Sequence, residues 1–223
     1  MFGLQSPALD LAQPLPGSIE VLAAEYVERV IALQPSGPVH LLGWSVGGIL
    51  AQAMATRLRS LGREVGLLAL LDAYPAEVWR AEPEPDPVAA LRALLAIAGY
   101  DPEAYPGLQT REAIVDFLRR GDSALGNLPG AVLDGVVRAV TDTNRLVRLH
   151  DHTRFDGTIL HVRAGRDHAG QPHLQASLWA PHAARVEPVE LPFLHAELTG
   201  RDATAYIAPL LDTRLAAFDA ESG

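Results

Sequence analysis

The side-chain types that together activate a nucleophile occur at well-separated positions of this chain: a serine, a histidine and a carboxylate. The serine is Ser45, within Gly43-Trp44-Ser45-Val46-Gly47. A serine hydroxyl is a poor nucleophile until a base takes its proton. An imidazole does this when a carboxylate fixes its tautomer and steadies its positive charge. The sequence therefore indicates covalent catalysis by an activated serine.

Ser45 lies between two segments of different pattern. Residues 39–42 form a short apolar run typical of a buried strand, and residues 48–58 are rich in Ala and Leu and predict a helix. A strand, the pattern G-x-S-x-G and a helix make the context of a nucleophile elbow, in which the serine hydroxyl projects from the end of a sheet. The alternative is a Gly-rich β–α turn with a passive serine.

The flanking residues of the elbow have predicted roles of their own. Gly43 and Gly47 have no Cβ, so we expect them to let the strand and the helix approach closely. The N–H of Val46 lies at the positive end of the predicted helix, where it favours a developing oxyanion. Val46 is therefore the predicted oxyanion-hole donor.

Eight histidines compete for the role of the base. His195 follows the last predicted strand, residues 185–191, and precedes the closing helix, residues 202–218. When the three catalytic residues follow one another along the chain as serine, acid and histidine, the histidine that acts as the base lies at this position. The alternative is a surface histidine at the entry to the helix. We expect the other histidines to be structural (His40 and His161, inside predicted strands), to lie at the end of a helical segment (His150 and His152), or to be solvated in polar loop sequence (His168, His173 and His182).

Two acids are candidates for the carboxylate. Asp72 directly follows the apolar run at residues 65–71, and Asp167 follows the strand predicted at residues 158–163. Both lie at carboxyl ends of predicted strands, which is where α/β sheets bind their ligands. The local pattern does not choose between them.

The alternation of strands and helices predicts an α/β fold, with a mostly parallel sheet flanked by helices. Residues 81–87 are acidic and Pro-rich and interrupt this alternation. Three helical patterns follow them, at residues 88–98, 110–120 and 130–149. We therefore predict a core made of residues 1–75 and 151–223, with an all-helical lid inserted at residues 76–150. A short strand is predicted at residues 2–5.

Composition excludes several classes of function. The chain has no cysteine, which rules out disulfides, thiolate metal sites and a cysteine nucleophile. The net charge of −9 argues against a nucleic-acid surface. No signal peptide opens the sequence, and no apolar run of roughly eighteen residues could span a membrane. We expect a cytoplasmic protein with neither a membrane nor a nucleic-acid partner.

The chain resembles the thioesterase domains that terminate nonribosomal peptide synthetases, which have the α/β-hydrolase fold. The resemblance is strongest at residues 33–76, where a GWSxGG core is followed by a strand and LLD, and it extends from about residue 15 to 218. In such domains the acid usually follows the strand after the nucleophile helix. The resemblance therefore implies a triad of Ser45, His195 and Asp72, with Asp167 as the alternative acid.

The resemblance also implies a reaction and a partner. A peptidyl or acyl thioester would arrive on the phosphopantetheine arm of a peptidyl carrier protein domain upstream in the same polypeptide, and residues 76–150 would cover the acyl chain. Hydrolysis or macrocyclisation would release the product, with no bound cofactor and no metal. The alternatives are a free-standing editing thioesterase or small esterase, and a non-catalytic carrier-binding module.

One expectation departs from the family pattern. Such domains usually begin with additional strands and with a loop that supplies a second oxyanion-hole N–H. This chain opens at what corresponds to a later strand, so those N-terminal strands are predicted to be absent. The Pro-rich stretch at residues 14–17 is the candidate for the missing loop.

Overall fold

The computed structural model describes residues 2–83, 87–121, 123 and 125–222. The chain divides into two compact units. One contains Ser18–Trp79 and Leu149–Gly223, and the other contains Met1–Gly17 and Arg80–Arg148. The first unit carries the strands, and we call it the sheet unit. The second is built mainly of helices, and we call it the helical unit.

The sheet unit contains four parallel strands in the spatial order β1-β2-β3-β4 within the described residues. They are β1 (Val39–Trp44), β2 (Val65–Leu71), β3 (Phe155–Ala164) and β4 (Ala183–Leu191). Because all four run in the same direction, their carboxyl ends lie along one edge of the sheet. The predicted parallel α/β architecture is confirmed.

The burial of each strand follows from its place in the sheet. β2 lies between β1 and β3, and its last four residues are buried, as expected of a strand covered on both faces. In the described part of the chain β4 pairs with β3 alone, and Pro188 lies opposite His161 in that pair. A proline lacks the N–H that a central strand needs, so its place in an edge strand agrees with its chemistry.

Seven helices are present within the described residues, and short 3₁₀ turns connect several elements. The helices are α1 (Ile19–Leu33), α2 (Val46–Ser60), α3 (Ala76–Ala81), α4 (Pro87–Ile97), α5 (Arg111–Arg120), α6 (Gly130–Leu149) and α7 (Arg201–Ser222). The Ser18 side chain accepts the N–H of Val21 and so caps α1. Just beyond the end of α2, Gly62 has a φ of 73°, the left-handed conformation with which helices commonly end. None of these helices combines the length and apolar character needed to cross a membrane.

The helical unit has a core of its own. Leu94, Leu95, Ile114 and Leu118 are fully buried against one another, and Phe117 packs beside them. The segment predicted as a lid therefore has apolar side chains that pack within their own unit. The side chain of Ile97, in the same unit, is exposed.

The N-terminal segment belongs to this helical unit. Arg138 of α6 donates to the main-chain carbonyls of Asp10 and Gln13, at 2.9 and 2.7 Å. A Cβ at Gly135 would lie 2.3 Å from the carbonyl oxygen of Leu9, so α6 and this segment are in close contact there. The strand predicted at residues 2–5 is not formed. Phe2 is exposed, so little apolar burial offsets the entropic cost of ordering this stretch.

Candidate active site

Ser45 occupies the sharp turn between β1 and α2. Its φ is 55° and its ψ is −129°, a conformation that a residue with a Cβ rarely adopts. The turn is held because the Ser45 N–H donates to the carbonyl of Leu71 at 2.9 Å, and the N–H of Gly48 donates to the carbonyl of Ser45 at the same distance. Ser45 therefore lies in a strained turn beside the end of β2, with its side chain at a helix N-terminus.

Two glycines, Gly43 and Gly48, make this turn possible, whereas the sequence predicted Gly43 and Gly47 for this role. A Cβ at Gly43 would lie 2.2 Å from the carbonyl oxygen of Gly47, and one at Gly48 would lie 2.3 Å from the Cβ of Ala73. A Cβ at Gly47 would meet nothing within 4 Å. The expectation that Gly47 is needed for close approach is therefore wrong, because this residue faces outward and Gly48 faces the neighbouring strand end.

Val46 is the first residue of α2, and its N–H is among those that helix geometry leaves without an acceptor in the helix. Its place next to Ser45 agrees with the predicted oxyanion contact, which stays a prediction.

Asp72 lies at the end of β2 in a similarly unusual conformation. Its φ is 47°, and among the described residues other than glycine it shares a positive φ only with Ser45. The Asp72 N–H donates to the carbonyl of Val162 at 2.7 Å, which holds this turn against β3. Backbone conformations of this kind cluster at functional sites, where the surrounding structure holds them in place.

The Asp72 carboxylate is buried and accepts four hydrogen bonds. Its Oδ1 accepts from the N–H of Ala164 at 3.0 Å and from the Tyr74 hydroxyl at 3.1 Å. Its Oδ2 accepts from His195 Nδ1 at 2.7 Å and from His168 Nε2 at 2.8 Å. Both oxygens are thereby fixed, so the plane of the carboxylate is defined.

These donors determine the charge of the carboxyl group. Burial alone would raise the pKa of Asp72, but the hydrogen bonds from His195, Ala164 and His168 outweigh burial and hold the pKa well below its ordinary value. Burial and the adjacent carboxylate raise the pKa of Tyr74, so its hydroxyl keeps its proton. Asp72 is therefore an ionised acceptor at neutral pH, in spite of its burial.

His195 lies above this carboxylate, in the loop between β4 and α7. Because ionised Asp72 can only accept, His195 Nδ1 must carry the proton that joins them, which leaves Nε2 free to act as a base. The imidazole is 34% exposed, whereas the Asp72 side chain is 1% exposed. A substrate can therefore reach the imidazole but not the carboxylate.

Trp44 places His195 beside the elbow. Its indole ring packs against the imidazole at a tilt of 31° with centroids 4.9 Å apart, and its Nε1 donates to the His195 carbonyl at 3.0 Å. Trp44 directly precedes Ser45, so the imidazole lies next to the residue that carries the hydroxyl. Ser45 and His195 both belong to the described part of the chain, and no hydrogen bond joins the Ser45 hydroxyl to the His195 imidazole there. Such contacts are often long until substrate binds.

Asp167, the alternative acid, contacts a different part of His195. Its Oδ2 accepts the main-chain N–H of His195, and the Asp167 side chain is exposed. Asp167 therefore holds the backbone of the loop, while Asp72 contacts the imidazole.

A further layer of contacts supports the turn at Asp72. The carbonyl of Ala73 accepts from His161 Nε2 at 2.9 Å and from Trp179 Nε1 at 2.7 Å. His161 is fully buried, and burial lowers its pKa to about 4. A neutral imidazole and an indole thus fix the chain just beyond the strained aspartate.

Two histidines predicted to be solvated are not. His168 is 13% exposed and donates to Asp72. His182 is 15% exposed and packs against Trp179 and His152. One signal in the sequence pointed to His168, because Gly165-Arg166-Asp167-His168 follows β3 at the same edge of the sheet as the other site residues.

Within the described part of the chain, no three His, Asp or Glu side chains are grouped so that they could hold a metal ion. The clustered imidazoles of the site instead contact one carboxylate.

Known proteins resemble this chain over nearly its whole length. The profile of the thioesterase domain family matches residues 1–189. The chain belongs to the thioesterase domain family. This thioesterase domain is 33% identical over 217 residues to a dimodular nonribosomal peptide synthase of Bacillus subtilis (strain 168), a match that covers 96% of the domain and 9% of the synthase. The domain therefore spans a small fraction of that relative's length.

Solved structures share the fold. A four-domain nonribosomal peptide synthetase bound to AMP and glycine superposes with a TM-score of 0.76 at 21% identity, covering 94% of the thioesterase domain and 17% of the synthetase. The NocB thioesterase domain, in covalent complex with a fluorophosphonate nocardicin G analogue, superposes with a TM-score of 0.62 at 22% identity, covering 95% and 81% of the two chains. The predicted α/β-hydrolase fold is confirmed.

Proposed function

We propose that this domain releases a peptidyl or acyl chain from the phosphopantetheine thioester of a carrier protein, by way of an ester formed on Ser45. One observation carries the proposal: the 2.7 Å hydrogen bond from His195 Nδ1 to the buried carboxylate of Asp72, at the sheet edge where Ser45 forms a strained elbow. The likeness to nonribosomal peptide synthetases supports the choice of a carrier-bound thioester.

In the first step, Ser45 Oγ attacks the thioester carbonyl carbon while His195 Nε2 takes the hydroxyl proton. Ionised Asp72 stabilises the imidazolium through Nδ1. The N–H of Val46 donates to the oxyanion of the tetrahedral intermediate. The carbon–sulfur bond then breaks, and His195 returns the proton to the departing thiolate, which leaves an acyl ester on Ser45.

In the second step, a nucleophile resolves the ester. His195 takes a proton from water or from an amine or hydroxyl of the acyl chain itself, and that atom attacks the ester carbonyl. Collapse of the intermediate returns the proton to Ser45 Oγ. Water yields a free acid, and an internal nucleophile yields a macrocycle. A carrier protein domain upstream in the same polypeptide is the proposed partner.

Turnover of a peptidyl thioester on a carrier protein tests this function. We expect Ser45→Ala to lower kcat by about 10⁶-fold, as removal of the nucleophile does in serine proteases. The matched control is Ser60→Ala at the far end of α2, where the hydroxyl donates to the carbonyl of Arg57 at 2.7 Å. Thiol release should be unchanged in this control. Comparable turnover by Ser45→Ala and the wild type would refute the role of Ser45, and carrier binding without turnover by the wild type would indicate a non-catalytic module.

A further inference from the structure

One oxygen of the Asp72 carboxylate is shared between two imidazoles. His195 Nδ1 lies 2.7 Å and His168 Nε2 lies 2.8 Å from Oδ2. The proposed function uses His195 and assigns no role to His168. The ring of His168 is mostly buried, and it contacts Tyr74 edge-on with ring centroids 5.5 Å apart.

The ring nitrogens of His168 differ in their contacts. Nδ1 is buried and has no hydrogen-bond partner within the described part of the chain. Ionised Asp72 can only accept, so Nε2 carries the proton that joins the two side chains.

The main chain at His168 is held on both sides. Arg163 Nη2 donates to the His168 carbonyl at 2.6 Å, and the His168 N–H donates to the carbonyl of Ala164 at 3.3 Å. Arg163 is in turn paired with Glu190 at 2.5 Å. These contacts from β3 and β4 hold the main chain of His168 in place. The position of its imidazole beside Asp72 is therefore well defined.

We propose that His168 is a positioning residue, which acts through Asp72 to hold the carboxylate in the orientation that His195 requires. The proposal rests on the proposed function. Tyr74 and the Ala164 N–H fix Oδ1, and His168 supplies the contact to Oδ2 that does not change during the reaction. His195 can then gain and release its proton while the carboxylate keeps its plane.

The sharing of Oδ2 has a consequence for variants at His168. Without the His168 donor, His195 Nδ1 is the remaining donor to Oδ2 within the described residues, while Tyr74 and the Ala164 N–H hold only Oδ1. The carboxylate can then turn away from the orientation that His195 requires, which lowers turnover rather than substrate binding.

The test compares three substitutions at one position in a peptidyl thioester assay. In His168→Gln the side-chain amide reaches about as far as Nε2 and keeps a donor. His168→Asn has the same amide on a shorter side chain, and His168→Leu has no donor. We expect His168→Leu and His168→Asn to lower kcat about tenfold to a hundredfold, the range for loss of a hydrogen bond to a charged group. KM should change little, because His168 acts on Asp72 and not on the substrate.

His168→Gln should keep kcat within about fivefold of the wild type. His173→Leu, an exposed histidine in the same loop, is the control and should match the wild type. Wild-type kcat in folded His168→Leu would overturn the proposal, and so would equal losses of kcat in the Gln and Asn variants. If His168→Leu does not fold, the Gln and Asn pair decides. Failure of the proposed function is seen separately, as turnover that survives Ser45→Ala.

Discussion

The ends of β2 and β3 present the same sequence feature in two different environments. Each strand has a buried carboxyl-terminal half and is followed by an aspartate near the sheet edge. At the end of β2, Asp72 is buried, has a positive φ and accepts four hydrogen bonds. Beyond β3, Asp167 is exposed and accepts the main-chain N–H of His195.

This difference shows that the role of a carboxylate depends on what surrounds it. A buried carboxylate stays ionised only when several donors compensate for lost water, and those donors also fix its orientation. An exposed carboxylate is solvated, so it can hold a loop but has less influence on an imidazole through screening water. Asp72 is therefore suited to orient His195, and Asp167 to position the loop that carries it.

The largest expected effect separates the two acids by activity. Asp72→Asn should lower kcat by about 10⁴-fold, because an amide at this position favours the wrong tautomer of the base. Asp167→Asn should lower it by less than about tenfold, since only a backbone hydrogen bond is weakened. Thioester turnover of the two variants measures this. Loss of activity in Asp167→Asn together with near-native activity in Asp72→Asn would show that Asp167 is the acid that orients His195.

An effect of intermediate size concerns His161, which donates to the carbonyl of Ala73 just after Asp72. His161 has a pKa of about 4 in the folded protein, against an ordinary value of 6.5. Between these values the unfolded chain binds a proton that the native protein does not, so this group's contribution to stability is complete above pH 6.5 and declines as the pH falls towards 4. We expect His161 to account for a loss of about 2 kcal/mol in the free energy of unfolding between pH 7 and pH 5.

Urea denaturation at the two pH values measures this effect in the wild type and in His161→Gln. The glutamine amide can still donate to the carbonyl of Ala73 but does not titrate. The variant should therefore lose about 2 kcal/mol less stability than the wild type when the pH is lowered. Equal losses in the two proteins would show that His161 is not held neutral by burial.

The smallest effect tests the link between the elbow and the base. Trp44→Phe keeps an aromatic ring that packs against His195 but loses the N–H that donates to the His195 carbonyl. We expect kcat/KM to fall about threefold to tenfold, as for one hydrogen bond of ordinary strength. Trp79→Phe in α3 is the matched control. Equal activities of Trp44→Phe and the wild type would show that the indole does not position the base.

Much of the fold could be predicted because its patterns are local. The uninterrupted apolar run at residues 65–71 became β2 within those bounds, and Ser18 caps α1 as its side-chain chemistry suggests. The elbow at Ser45 could also be predicted, because strand, glycine and helix signals are contiguous in the sequence. These features depend on neighbours along the chain, so a single sequence carries the information.

Other features depend on contacts between distant segments. The hydrogen bond from His168 to Asp72 joins residues 96 positions apart. The place of His168 after β3 puts it near the site edge, but the sequence does not specify this contact. Gly48 and Gly47 look equivalent in sequence, but only Gly48 faces Ala73. Residues 2–5 have strand-like composition, yet they form no strand, because strand formation depends on a neighbouring strand that composition does not specify.

The rate at which a fluorophosphonate forms an adduct with Ser45, followed by intact mass and peptide mapping, tests the central claim most directly. The reaction needs the hydroxyl, the imidazole and the carboxylate to act together. We expect the wild type and Asp167→Asn to be labelled on Ser45 at similar rates, Asp72→Asn to be labelled far more slowly, and Ser45→Ala not to be labelled. Labelling that persists in Ser45→Ala, or that slows in Asp167→Asn but not in Asp72→Asn, would contradict the account.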